Sequence, residues 1–187
     1  MSCSAASRRI VPTSQNIRIL KPIFLIGLSG GGKSTVGLLL AAKLERRFVD
    51  LDAVIEEEAH MTIAEIFFNE REPAFRAREA AALRRVAAAA PQVIAVGGGA
   101  PAHGDNMDFL LHAGKVVCLT ASTDELVRRL GSAETRPLLA GKDVRSEIEK
   151  LLASRRPYYA RAHLTVDTTG QAPSQVARQI QEALESS

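Results

Sequence analysis

The chain has 187 residues, enough for one domain with a full hydrophobic core. Its 46% apolar and 24% charged residues are the composition of an ordinary soluble globular protein, and a net charge of +3 is too small to argue for nucleic acid, though it suits a site for anionic phosphates. The lack of tryptophan removes an obvious base-stacking platform, and no apolar run is long enough to span a bilayer, so neither a nucleic-acid nor a membrane partner is expected.

Residues 1–20 contain Arg8, Arg9 and Arg18, several serines and no acid. The stretch is short and lacks the apolar core of a secretory signal, so it reads as a flexible tail on a cytoplasmic protein, with one domain over 21–187. Ile23 to Ile26 is an apolar run between Pro22 and a glycine cluster, the mark of a buried strand. Val36, Leu40 and Leu44 recur at helical spacing and predict a helix from Lys33 to about Arg46. A second strand begins at Phe48-Val49 and ends in Asp50-Leu51-Asp52. Residues from Ala53 to about Ala90 read as helical, with a break at Pro73. Val93 to Val96 is a third strand, stopped by Gly97-Gly98-Gly99, and Lys115 to Thr120 a fourth. A helix follows through Leu126 and Leu130, then a polar loop from Gly131 to Asp143, then a helix from about Val144 to Ala162. Leu164 to Val166 is the last strand, and Val176, Ile180 and Leu184 mark the last helix. Strands alternating with helices predict a single α/β domain whose parallel sheet is covered on both faces. Cys3 and Cys118 read as free thiols of a reducing compartment, and the four scattered histidines lack zinc-ligand spacing.

The strongest chemical signal is Gly27-Leu28-Ser29-Gly30-Gly31-Gly32-Lys33-Ser34, which fits G-x-x-x-x-G-K-[ST] between a predicted strand and a predicted helix. Glycines let successive N–H groups turn inward around an anion, and the helix start adds its positive dipole end. Lys33 should reach the β- and γ-phosphates, and the Ser34 hydroxyl should ligate Mg²⁺. A glycine-rich turn with a chance lysine is the bland alternative, and the flanks argue against it.

The phosphate acceptor must be read elsewhere. Asp50 and Asp52 lie two apart at a predicted strand end, where strand periodicity puts both side chains on one face. One carboxylate can hold Mg²⁺ and the other can take the proton of an attacking hydroxyl; either alone could be a capping residue. Arg76 and Glu79 share a helix face, so Glu79 could fix a guanidinium that grips a carboxylate. Helix physics alone favours an ordinary surface ion pair of little worth. Gly97, Gly98 and Gly99 make sense where backbone passes close to a ligand, or as a simple flexible turn. Arg136, in the polar loop, could stabilise charge on a transferring phosphoryl group. Arg155 lies on the helix after that loop, where most arginines are merely solvated.

These residues form an ordered set: GLSGGGKSTVG from Gly27, FVDLD from Phe48, TIAEIF from Thr62, FRARE from Phe75, VGGGA from Val96, RPLL from Arg136, SRRPYY from Ser154 and VDTTG from Val166. Together, from about Phe24 to about Pro173, they resemble the shikimate kinase family. The resemblance implies a three-layer P-loop domain with a five-stranded parallel sheet, a helical substrate-binding region near 51–80 and a mobile lid near 131–143. It implies transfer of the γ-phosphate of ATP to the 3-hydroxyl of shikimate, with Mg²⁺, in aromatic amino-acid biosynthesis. By position, it assigns Lys33, Asp52 and Arg136 to catalysis. Gly30, Gly31, Gly32, Lys33, Ser34, Thr35, Arg129, Arg136 and Pro173 would bind ATP, and Ser34 and Asp50 the metal. Asp52, Arg76, Gly97, Gly98, Gly99 and Arg155 would bind shikimate. A monomer is expected. The sequence departs from the family at His60 and Arg71, where glycine is usual, which questions local turn geometry more than activity.

Overall fold

The structure is a computed structural model that describes residues 21–89, 91–130 and 143–186. The tail assigned to residues 1–20, Cys3, Arg136 and all but the last residue of the assigned lid lie outside the described residues. The elements run β1 (Ile23–Ile26), α1 (Lys33–Lys43), β2 (Arg47–Asp50), α2 (Leu51–Ala59), α3 (Ile63–Ala88), β3 (Gln92–Ala95), a 3₁₀ turn (Ala100–Ala102), α4 (Asn106–Ala113), β4 (Lys115–Thr120), α5 (Thr123–Leu130), α6 (Val144–Tyr159), β5 (Leu164–Asp167) and α7 (Pro173–Glu185). The five strands form one parallel sheet in the order β2-β3-β1-β4-β5.

Strand periodicity divides the core into two layers. Ile23 and Leu25 point to one face and pack with Val36 and Leu40 of α1 and Val176 and Ile180 of α7. Phe24 and Ile26 point to the other and pack with Ile55 of α2, Phe75 and Leu83 of α3 and Ile148 of α6. Burial on both faces explains why β1 is apolar throughout rather than alternating. The chain leaves β1 toward β2 on one side and later crosses from β3 to β4 on the other. The crevice at the carboxyl ends of β1 and β3 is therefore a topological switch point, where open α/β sheets bind ligands.

Four local expectations change, the first being that the helix read from Ala53 to about Ala90 is interrupted between Ala59 and Ile63, where His60 ends α2 at φ 51° and Thr62 caps α3. The helix Asn106–Ala113 was not among the predicted elements; it is only two turns long and follows a 3₁₀ turn. The break expected at Pro73 falls at Arg71 (φ 66°, ψ 171°), so Pro73 lies in the first turn of the second segment of α3, where its missing N–H costs nothing. The second strand stops at Asp50, and Asp52 belongs to α2. Asp50 caps that helix: its Oδ1 accepts from the Asp52 N–H at 3.2 Å. Strand alternation therefore does not align the two aspartates; a strand end and a helix start do.

Candidate active site

The glycine-rich loop joins β1 to α1. A Cβ on Gly27, at φ 135°, would sit 2.2 Å from the Leu119 carbonyl oxygen of β4, so glycine is required for the loop to leave the sheet there. Gly32 caps α1 in the left-handed region at φ 93° with no side-chain hydrogen bond, and the first turn of α1 holds no acid. Its first N–H groups and dipole end are thus directed at the cleft, ready for an anion. Lys33 Nζ donates to the carbonyls of Gly27 at 2.9 Å and Leu28 at 3.2 Å, which folds the lysine back along the loop. Ser34 Oγ donates to Asp50 Oδ2 at 2.6 Å.

A cleft of about 880 Å³ opens over this loop, and Gly30 through Thr35, Asp50, Asp52, Arg129 and Pro173 line it. Arg129 is clipped to the loop from above: it donates to the Gly30 carbonyl at 3.0 Å and to the buried Thr168 through Oγ1 at 3.0 Å and the carbonyl at 2.9 Å. Glu125 completes its cage at 2.8 Å. The Arg128 guanidinium, with help from Arg129, holds the Glu125 carboxyl down at about 2.

A second cleft, of about 540 Å³, adjoins the first, and Asp52, Arg76, Gly97, Gly98, Gly99 and Arg155 line it. Asp52, Ser29, Glu56 and Gly98 line both. One wall is aromatic, with Phe67 and Phe75 centroids 4.6 Å apart. Charged groups lie against it: the Arg76 guanidinium carbon is 5.1 Å from the Phe75 ring centroid. Arg76 Nη1 donates to Glu79 at 2.8 Å, while Nε and Nη2 reach Glu72 Oε1 at 3.2 and 3.0 Å. A guanidinium has five N–H groups, so these contacts leave one on each terminal nitrogen, a pair suited to a carboxylate.

Glu79 is 1% exposed, so the surface ion pair favoured from helix spacing is in fact a buried one. Burial raises its pKa above the ordinary carboxylate range, Asp52 adds repulsion, and Arg76 and Arg155 oppose the shift. The three glycines then have separate reasons. A Cβ on Gly97 would lie 2.7 Å from Glu79 Oε1 and 2.9 Å from Asp52 Oδ1; one on Gly98 would lie 3.0 Å from the Gly27 carbonyl oxygen and 3.2 Å from Arg155 Nη1; one on Gly99 would lie 2.9 Å from both terminal nitrogens of Arg76. Gly97 and Gly99 bring backbone against charged side chains, and Gly98 brings it against the start of the phosphate loop.

Sequence reasoning missed several supports. Glu72 sits one turn before Arg76, a spacing that could have flagged it. Tyr159 sits one turn after Arg155; its hydroxyl donates to the Gly98 carbonyl at 2.6 Å, and burial pushes its pKa up to about 12. Thr168, which locks Arg129, carries no local signal because the contact joins distant segments. Cys118 is a buried free thiol, and among the described residues no cluster of His, Cys, Asp or Glu forms a metal cage.

A phosphate-binding loop at a parallel-sheet switch point, joined through one aspartate to a cleft walled by fixed arginines, defines a P-loop phosphotransferase with a small anionic acceptor. The shikimate kinase family model matches residues 29–185. Shikimate kinase of Moorella thermoacetica is 44% identical over 162 residues, 87% of this chain and 93% of that protein. Shikimate kinase 2 of Shigella boydii is 45% identical over 168 residues, 88% and 95% of the two chains. The solved structure of Acinetobacter baumannii shikimate kinase in complex with shikimate superposes with a TM-score of 0.87 at 36% identity, covering 92% of this chain and 97% of that one. The chain belongs to the shikimate kinase family.

Proposed function

We propose that this protein transfers the γ-phosphate of ATP to the 3-hydroxyl of shikimate, giving shikimate 3-phosphate and ADP. One observation carries the reading: the phosphate cleft and the arginine-walled cleft meet at Asp52. In that position Asp52 accepts the proton of the attacking hydroxyl, and the loop N–H groups and Lys33 hold the phosphates it attacks. Arg76 and Arg155 hold the acceptor carboxylate. Family resemblance gives Arg136 and the 131–143 lid the task of covering the phosphates and excluding water.

The residues fit Mg²⁺. Ser34 Oγ and Asp50 Oδ2 lie 2.6 Å apart at the mouth of the loop, and two hard oxygen donors suit an ion that takes its other ligands from phosphate and water. When bound, Mg²⁺ supplies charge neutralisation on the β- and γ-oxygens. The test is an ADP-release assay with shikimate, quinate, gluconate and AMP as acceptors. Turnover with shikimate well above the other three is expected; preference for gluconate or AMP, or ATP binding without turnover on any of them, overturns the reading.

A further inference from the structure

His103 follows the 3₁₀ turn that leads out of Gly97-Gly98-Gly99 and takes no part in the chemistry above. Its place is fixed by backbone: its N–H donates to the Ala100 carbonyl at 3.1 Å, and its own carbonyl accepts from Asn106 at 3.2 Å. Asn106 is itself buried and tied by its side chain to the Ala100 carbonyl at 3.0 Å and to Arg84 at 3.1 Å. These bonds fix the backbone that presents the imidazole toward Glu72, outside the cleft lining, beside the partner of Arg76 rather than in the cleft itself. Its Nε2 is 3.8 Å from Glu72 Oε1, with side chains 41% and 56% exposed. That same oxygen accepts both hydrogen bonds from the Nε and Nη2 of Arg76.

We propose that His103 is a positioning residue for the acceptor carboxylate: when protonated it shares the charge of Glu72, so that Arg76 presents more of its own charge to the acceptor and binds it more tightly. The proposal rests on the phosphotransfer reading above and adds a pH dependence to acceptor binding. The electrostatics favour such a device. Arg76 is paired with both Glu72 and Glu79, so it meets an anionic acceptor with its positive charge partly balanced. One further positive charge beside Glu72 alters that balance.

The charged groups facing His103 are Arg76 and Glu72 of α3 and Arg155 of α6. Burial, then the Arg76 guanidinium, lowers its pKa from the ordinary histidine value, Glu72 opposes the shift, and Arg155 adds to it. An anion bound between the two arginines would offset their effect. By linkage it would raise the His103 pKa by the same factor that protonation tightens its binding.

The experiment measures KM for shikimate, KM for ATP and kcat from about pH 5 to about pH 8, the range in which histidine changes charge. The wild type, His103→Gln and His103→Lys are compared. In the wild type the shikimate KM should rise about two- to fivefold with pH, the size expected of a half-exposed charge pair, with no matching change in KM for ATP. His103→Gln should hold the high value and His103→Lys the low value across the range. Any dependence that Glu79 contributes would remain in all three proteins and so cancels from the comparison. Identical profiles for wild type and His103→Gln overturn the proposal while leaving the phosphotransfer reading intact. Absence of shikimate turnover in the wild type overturns that reading instead. The His103 coupling is then still decided by NMR titration of its ring in the unliganded protein, where Glu72→Gln should lower its pKa and an unchanged value overturns it.

Discussion

Among the described residues, Asp52 is the one aspartate that lines both clefts. It stands in the first turn of α2, beside the Asp50 cap, and its Oδ1 would lie 2.9 Å from a Cβ placed on Gly97. In the proposed function this aspartate has two tasks, to accept a hydrogen bond from the acceptor hydroxyl and to take its proton. Asparagine retains the size and the hydrogen-bonding oxygen but takes no proton. Asp52→Asn should therefore lower kcat by roughly 10²- to 10⁴-fold, the range for loss of a general base, while leaving ATP affinity within about twofold. Steady-state kinetics together with ATP titration checks this. Near-normal kcat would show that the proton leaves by another route, and equal losses in both ligands would point to a collapsed site.

Helix α3 is one continuous element in projection but two in geometry. Its first segment begins at a Thr62–Glu65 capping box, and its second carries Arg76 and Glu79 to the cleft. The joint is Arg71, at φ 66° and ψ 171°, a region that side chains avoid, and Arg78 bridges the joint by two 2.8 Å bonds to Glu70. His60, the other departure from the usual glycine, caps α2 at φ 51°. Both positions thus keep a positive φ, the conformation in which glycine is unstrained, while carrying a side chain. Relief of strain at Arg71 is about 1–3 kcal/mol, against up to about 1 kcal/mol of added chain entropy for glycine. Arg71→Gly should accordingly raise Tm by roughly 2–4 °C with kcat unchanged, measured by thermal unfolding and assay. An unchanged or lower Tm would mean that the Glu70–Arg78 bridge, not the backbone, sets the energy of the joint. At this scale the chain was legible where local rules suffice: every strand was readable from apolar runs, and the phosphate loop from its spacing. It was not legible where tertiary contacts decide. The short α4, the helical position of Asp52, the burial of Glu79 and the Thr168 lock on Arg129 all depend on what packs against them.

At the scale of the whole molecule, the site is assembled from nearly every element of the sheet's carboxyl edge, and both core layers converge on it. Loop, α2, α3, the glycine turn, α5, α6 and the start of α7 each place at least one lining residue. Few of these are sequence neighbours, so a bound ligand ties together segments that unfolding must separate. Binding to the folded state alone stabilises it by RT ln(1 + [L]/Kd), about 2.7 kcal/mol at a hundredfold excess over Kd, which corresponds to roughly 5–10 °C in Tm for a chain of this size. The two clefts share Ser29, Asp52, Glu56 and Gly98 but are otherwise walled by different residues, so their contributions should separate. ATP with Mg²⁺ and shikimate, each added alone to the wild type, should each raise Tm. In Arg76→Ala the shikimate shift should nearly vanish, because the acceptor loses its fork of N–H donors and Glu79 is left buried without its cation, whereas the ATP shift should persist. The starting Tm of this variant will also be lower, since an unpaired buried carboxylate is costly, and the comparison is therefore of shifts rather than absolute values. Loss of both shifts would mean that Arg76 holds the architecture of the whole crevice; retention of the shikimate shift would place the acceptor carboxylate elsewhere.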